Sequence, residues 1–181
     1  MKFCSYCGSD VTLRIPTGDN RQRYVCVSES CGAIHYQNPR IITGCLPTYE
    51  DKVLLCKRAI EPRYGLWTLP AGFMENGEST ADGALRESWE EAQATLEIDQ
   101  LYALYDLPYI NQVYFFYKGE LSNLDFRAGE ESLEVALFAE DEIPWDELAF
   151  SVVTKTLDHY FNDRKSGVFR LRTDTLVKRL S

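Results

Sequence analysis

No stretch of this 181-residue sequence approaches the roughly 20 apolar residues needed to span a bilayer. The opening, MKFCSYCGSD, also lacks the apolar run of a secretory signal. No membrane-spanning helix is expected, and a cytoplasmic location is the default expectation. Positive charge is in deficit as well: 19 Lys and Arg stand against 28 Asp and Glu, for a formal net charge of −9. Such a balance offers no general attraction to nucleic acid backbones or anionic membranes, so a phosphate-bearing ligand must be met by local groups. There is no internal repeat and no low-complexity tract. What is present is 45% hydrophobic residues, enough for a real core, on a length that suits one ordinary domain with a small appendage.

Composition shifts along the chain. Residues 1–38 are polar, poor in aliphatics and punctuated by cysteine and glycine, and apolar runs begin at Arg40. A boundary is expected near 37–39, giving segments 1–38, 39–165 and a mildly basic tail, 166–181, which could be strand, helix or mobile tail. Apolar and β-branched runs at 41–49 and 52–57, hinged at Glu50 and Asp51, predict a hairpin. Gly65, Pro70, Gly72 and Gly77 mark a loop-rich stretch. Ser79, with Asp82 three residues on, resembles a capping box opening a helix to about Ala94. Further strands are expected at 101–107, 112–121 and 134–138, and a second helix at 152–161.

Six cysteines without an export signal read as reduced or metal-bound thiols rather than a disulfide framework. Cys4 and Cys7, then Cys26 and Cys31, form two pairs, each followed directly by a glycine, Gly8 and Gly32. Two such knuckles read as a zinc ribbon, in which Zn²⁺ binding holds together a segment with little core. The wider second pair leaves room for His35 to replace one thiol, although a lone histidine near a boundary is more often a packing residue. Cys45 and Cys56 read as buried strand thiols. Lys2, Arg14, Arg21 and Arg23 make only a thin basic patch, which argues against nucleic acid as the partner.

In the expected first helix, Leu85, Trp89 and Ala92 recur at helical spacing and predict the inward face, with Glu87, Glu90 and Glu91 opposite. Acidic residues on a helix usually form a solvated face. Crowded carboxylates also repel unless a cation neutralises them, and Mg²⁺ favours such oxygen ligands. The flanking residues favour the metal: Gly72, Glu78, Arg86, Glu87, Glu90 and Glu91 stand at the places demanded by GX5EX7REUXEEXGU, where U is aliphatic. On these residues the chain resembles the Nudix hydrolases. Ser88 stands in place of the aliphatic residue and Gln93 in place of the glycine, a loss expected to extend the helix or change its exit.

The resemblance implies an α+β fold, an α/β/α sandwich around a mixed sheet, preceded by the small zinc ribbon. It implies that Glu87, Glu90 and Glu91 bind Mg²⁺ or Mn²⁺, with the Ala71 carbonyl as a further ligand and with Arg86 and Glu78 orienting them. The metal would neutralise diphosphate oxygens and position a water for in-line attack. Glu131, in the acidic pair Glu130 and Glu131, is the candidate base, weighed equally against an exposed acidic loop. Arg58 and Arg63 are candidates for phosphate, although surface arginines are common.

The cysteine pairs, the linker from Tyr36 to Arg40 and the glutamate motif together resemble the branch holding NADH pyrophosphatases and FAD or ADP-ribose pyrophosphatases. NADH-specific members carry SQPWPFPxS, where this chain has DLPYINQVY from Asp106. The segments GLWTLPAGF, ESLE and DEIPW look closest to plant-type FAD/ADP-ribose pyrophosphatases. The substrate expected is therefore a small nucleotide, FAD first and ADP-ribose second, and homodimers are common among such relatives. Among Tyr105, Tyr109, Tyr114, Phe115, Phe116 and Tyr117, one or two are expected to reach the ligand while the rest fill the core. Competing readings are a broad nucleoside diphosphate hydrolase acting on NADH or a capped RNA end, a nucleotide-sensing regulator without catalysis, and a zinc-ribbon nucleic acid module.

Overall fold

The structure, a computed structural model, describes residues 1–177. The chain divides into two compact units, Met1–Pro39 and Arg40–Ser181. The first is a three-stranded antiparallel sheet of β1 (Val11–Arg14), β2 (Arg23–Cys26) and β3 (Ile34–His35), in that order. Gly8 and Gly32, with φ of 74° and 57°, supply the left-handed turns that follow the second cysteine of each pair.

The second unit runs β4 (Arg40–Tyr49), β5 (Lys52–Arg58), β6 (Trp67–Thr68), β7 (Ala71–Phe73), α1 (Thr80–Ala92), β8 (Leu96–Leu107), β9 (Gln112–Leu121), β10 (Ser132–Phe138), α2 (Ser151–Ser166) and β11 (Arg172–Thr175). Its sheet has the order β10-β5-β4-β9-β8-β11 and is mixed: β4 with β9 and β8 with β11 are parallel, the other neighbours antiparallel. The β4–β5 hairpin turns at Glu50, which takes a φ of 52°, and pairs only at Thr48↔Val53 and Tyr49↔Lys52. Beyond that point β7 pairs with β4 and β6 with β5, so the loop Leu69–Pro70 between them enters the opening.

Alternation along the strands sends side chains to two faces. Leu46, Val53, Leu55, Trp67, Tyr105 and Phe116 pack with Val152, Leu157 and Phe161 of α2. Cys45, Leu54, Cys56, Leu96 and Leu121 pack with Ala84 and Ala92 of α1. The α/β/α sandwich expected from the resemblance is therefore present. Both remaining cysteines are buried as expected, the thiol of Cys45 donating to the Ala84 carbonyl.

Several boundaries differ from the sequence reading. The strand expected at 101–107 begins at Leu96, because the run before it pairs with β9 through two register shifts that periodicity does not reveal. The tail 166–181 contains β11, which adds to β8, while 178–181 lies outside the described residues. α1 does open with the Ser79 and Asp82 capping box, yet it stops at Ala92 rather than Ala94. Gln93 does not extend the helix: it adopts φ 47° and ψ 28°, the left-handed cap that glycine would supply.

Trp89 is the plainest correction. It is 56% exposed, whereas Ala84, Glu87, Ser88, Glu91 and Ala92 are buried. Small residues at 84, 88 and 92 bring α1 close to the sheet. Glu87 and Glu91, one helical turn apart, share that inward side, and Trp89 falls outside it.

Candidate active site and cysteine cluster

Glu87 and Glu91 are only 8% and 6% exposed, and both carboxylates border a pocket of about 790 Å³. Gly72 makes room for the first of them: a Cβ there would stand 2.4 Å from the Glu87 carboxylate. Gly44, on the adjacent strand, serves likewise, since a Cβ on it would come within 2.3 Å of Ala71 Cβ. The close approach of β7 to β4 thus sets Ala71 at the pocket, where its N–H faces the Glu91 carboxylate.

Arg86 reaches back across this cradle. Its Nε and Nη2 donate to Glu78 at 3.0 and 2.8 Å, and its Nη1 donates to Glu87 at 2.7 Å and Glu90 at 3.0 Å. A further bond from Nη2 to the Phe73 carbonyl ties the helix to the end of β7. These contacts hold the Glu78 carboxyl down to about 2. Burial pushes Glu91 up to about 8, with the neighbouring Glu87 charge adding to the shift and Arg58 opposing it. Glu87 is raised by burial too, although Arg86 offsets part of the effect. A cluster of buried carboxylates held against its own ionisation, lined with oxygen donors, has the chemistry of a hard divalent-cation site.

Glu131 borders the same pocket, and its charge is felt at both Glu87 and Glu91. Arg58 and Arg63 line it as well, Arg58 lying 5.2 Å over the Phe150 ring. The structure thus brings Ala71, Arg58, Arg63, Arg86, Glu87, Glu90, Glu91 and Glu131 to one cavity, with Glu78 behind Arg86. The three helix glutamates do not converge equally, because Glu90 is turned outward onto Arg86. Of the six aromatics considered, Tyr109, Tyr114 and Phe116 line the pocket. Sequence reasoning missed further lining residues, Ile60, Leu107, Gln112 and the start of α2, its cap Phe150 and Ser151 to Val153. Nothing local marks these residues, which come from four separate places in the chain.

In the first unit, the sulfurs of Cys4, Cys7, Cys26 and Cys31 lie within 4.8 Å of one another. Closest are Cys7 and Cys26 at 3.4 Å and Cys4 and Cys31 at 3.8 Å. Hydrogen bonds from Ser9 lower the Cys7 thiol, while burial raises Cys26. His35 does not replace a thiol: its Nε2 sits 3.3 Å from Cys4 Sγ and its ring stacks on Tyr6. Four thiols so gathered fit a tetrahedral zinc ion.

Comparison with known proteins agrees with both units. A family model described as Nudix N-terminal, a zinc ribbon, matches residues 2–37, and the NUDIX domain model matches 38–157. The chain belongs to the Nudix hydrolase family and carries its zinc-ribbon N-terminal segment. It is 54% identical to a NUDIX hydrolase of Nitrosomonas europaea of known structure, over 97% of this chain and all of that one, with a TM-score of 0.91. An ADP-ribose pyrophosphatase of Methanocaldococcus jannaschii is 26% identical over 64% of this chain and 69% of its own length. An NAD-capped RNA hydrolase, NudC, of Chromobacterium violaceum is 24% identical over 87% of this chain but only 57% of its own length.

Proposed function

We propose that the protein hydrolyses the diphosphate of a small nucleotide derivative in the presence of Mg²⁺ or Mn²⁺, releasing AMP, with ADP-ribose ahead of FAD as substrate. The observation that carries this reading is the pair of buried carboxylates, Glu87 and Glu91, opening on one pocket with Arg58, Arg63, Arg86 and an aromatic wall. Putting ADP-ribose before FAD is supported by the M. jannaschii relative named for that substrate.

Glu87, Glu91 and Glu90 would hold the cation, with the Ala71 carbonyl as a further ligand, and Arg86 and Glu78 fix the helix face. A cation held there would supply charge neutralisation for the diphosphate oxygens and for the leaving phosphate. Arg58 and Arg63 bind the remaining phosphate oxygens. Glu131, exposed to solvent at the rim, takes the proton of the attacking water. Tyr109 and Tyr114 offer ring faces to the base. The four thiolates hold one structural Zn²⁺. A cytoplasmic setting and a homodimer belong to the same reading, the latter tested by sedimentation.

The decisive experiment is product analysis with Mg²⁺ and, separately, ADP-ribose, FAD, NADH and NAD, beside a Glu91→Gln control. AMP and ribose 5-phosphate from ADP-ribose, lost in the control, are expected; survival of every substrate overturns the reading. A second reading, an NAD-capped RNA end, is favoured by the C. violaceum relative. Release of the cap at a higher kcat/KM than ADP-ribose would establish it instead.

A further inference from the structure

The last carbonyls of an α-helix have no partner within it. Here those of Glu91 and Ala92 accept backbone N–H groups from a loop far along the chain: Gly129 N donates to Glu91 O and Arg127 N to Ala92 O, each at 2.9 Å. The approach is so close that a Cβ on Gly129 would stand 1.7 Å from the Glu90 carbonyl oxygen and 2.8 Å from its carbon, so no side chain fits without displacing the loop. Arg127 Nε also donates to the Gln93 side chain, at the residue that closes the helix where the family has glycine. From Gly129 the chain makes a short turn, with Ser132 N donating to Gly129 O at 3.2 Å. The Glu131 carbonyl is then held by Ala59 N at 2.8 Å.

We propose that Gly129 is a positioning residue, and that with the Gln93 and Arg127 contact it seats the loop on the carbonyl end of α1 so that Glu131 faces Glu87 and Glu91. The inference rests on the reading of Glu131 as the base. Helix and loop are thereby registered to each other: the segment that carries two inward carboxylates also anchors the third. Gln93, a departure from the family pattern, supplies through its side chain a tie to the loop that glycine lacks.

The test measures kcat and KM for ADP-ribose with Mg²⁺ in the wild type, Arg127→Ala, Gly129→Ala and Glu131→Gln, and in the two double variants that include Glu131→Gln. Gly129→Ala is expected to lower kcat by up to the order of 10²-fold, the scale of a small misplacement of a reacting group. KM should stay within about twofold, since a displaced base leaves ground-state binding intact. Arg127→Ala should lower kcat in the same sense by about threefold, with its folding checked by thermal melting. Each double variant should be no slower than Glu131→Gln alone, because a residue acting through Glu131 has nothing left to position. Multiplying losses, a change confined to KM, or unchanged kcat in both single variants would overturn the inference. Should Gly129→Ala fail to fold, the Arg127→Ala pair carries the same comparison. Full activity of Glu131→Gln sinks this inference and the choice of base together but leaves the hydrolase reading standing, whereas an inactive wild type sinks the functional reading itself.

Discussion

In residues 1–39 the buried apolar side chains are Cys4, Val25 and Cys26, three residues of which two are candidate metal ligands. The second unit buries two clusters on opposite faces of its sheet, including Tyr102, Tyr105, Phe116, Leu157 and Phe161 on one face alone. A segment of the first kind cannot offset its conformational entropy by apolar burial, so cross-linking through a metal has to do so. A segment of the second kind has a core of its own and is free to place charged groups inside it. The buried glutamates of α1 are such groups: the surrounding packing fixes them in place, and Arg86 offsets part of the cost of burying Glu87. What differs between the units is therefore the source of order: ligand chemistry in one, packing in the other.

Breaking the first source should have the largest effect. Cys26→Ser, or strong chelation, removes an interaction worth on the order of 10 kcal/mol in comparable structural zinc sites. Residues 1–39 should then lose their dispersed amide signals in NMR while the second unit keeps its own cooperative melt; a shared collapse would contradict the comparison. Phe116→Ala attacks the other source and should cost about 3–5 kcal/mol in denaturant unfolding, with zinc retained.

Glu91→Gln separates function from packing. Turnover should fall on the order of 10²-fold or more, the scale of losing one preorganised group that stabilises transition-state charge. Metal-free stability at pH 8 should rise, because a buried charge is removed. The pH dependence follows from the same group. Its folded pKa of about 8 lies above the ordinary 4.5. Between those values the metal-free folded protein keeps a proton that the unfolded chain has released, so Glu91 favours folding most below pH 4.5, and that contribution is lost as pH rises toward 8. Added Mg²⁺ should therefore raise Tm more at pH 8 than at pH 5. An equal rise at both pH values would show that Glu91 is not where the cation binds.

The smallest expected effect concerns the joint between α2 and β11. Tyr102 Oη donates to Asp163 at 2.9 Å, and Arg172 Nε donates to the same carboxylate at 3.2 Å. Asp163→Ala leaves the Tyr102 hydroxyl without its acceptor and should cost about 1–3 kcal/mol in thermal unfolding, without change in KM.

The chemistry-bearing residues were legible because they obey local spacing. Glu78, Arg86, Glu87, Glu90 and Glu91 stand at fixed offsets around one helix, and the cysteine pairs sit on short knuckles, so sequence order alone brings them near one another. Hairpin and capping box were legible for the same reason. Trp89 was misread because hydrophobicity ranks it inward, whereas the closeness of α1 to the sheet admits only small side chains there and turns Glu87 and Glu91 in with them. Local sequence by itself thus determined the family, the β4–β5 hairpin, the two helices, the main strands near β8 to β10 and the candidate ligands, but not the short strands β1–β3, β6, β7 and β11. Which glutamates are buried, that Glu131 rather than Glu130 reaches the pocket, and that Phe150 and Gln112 close its wall were decided only by tertiary structure. Those placements depend on contacts between segments distant in the chain, such as Gly129 on the end of α1, whose geometry no periodicity encodes.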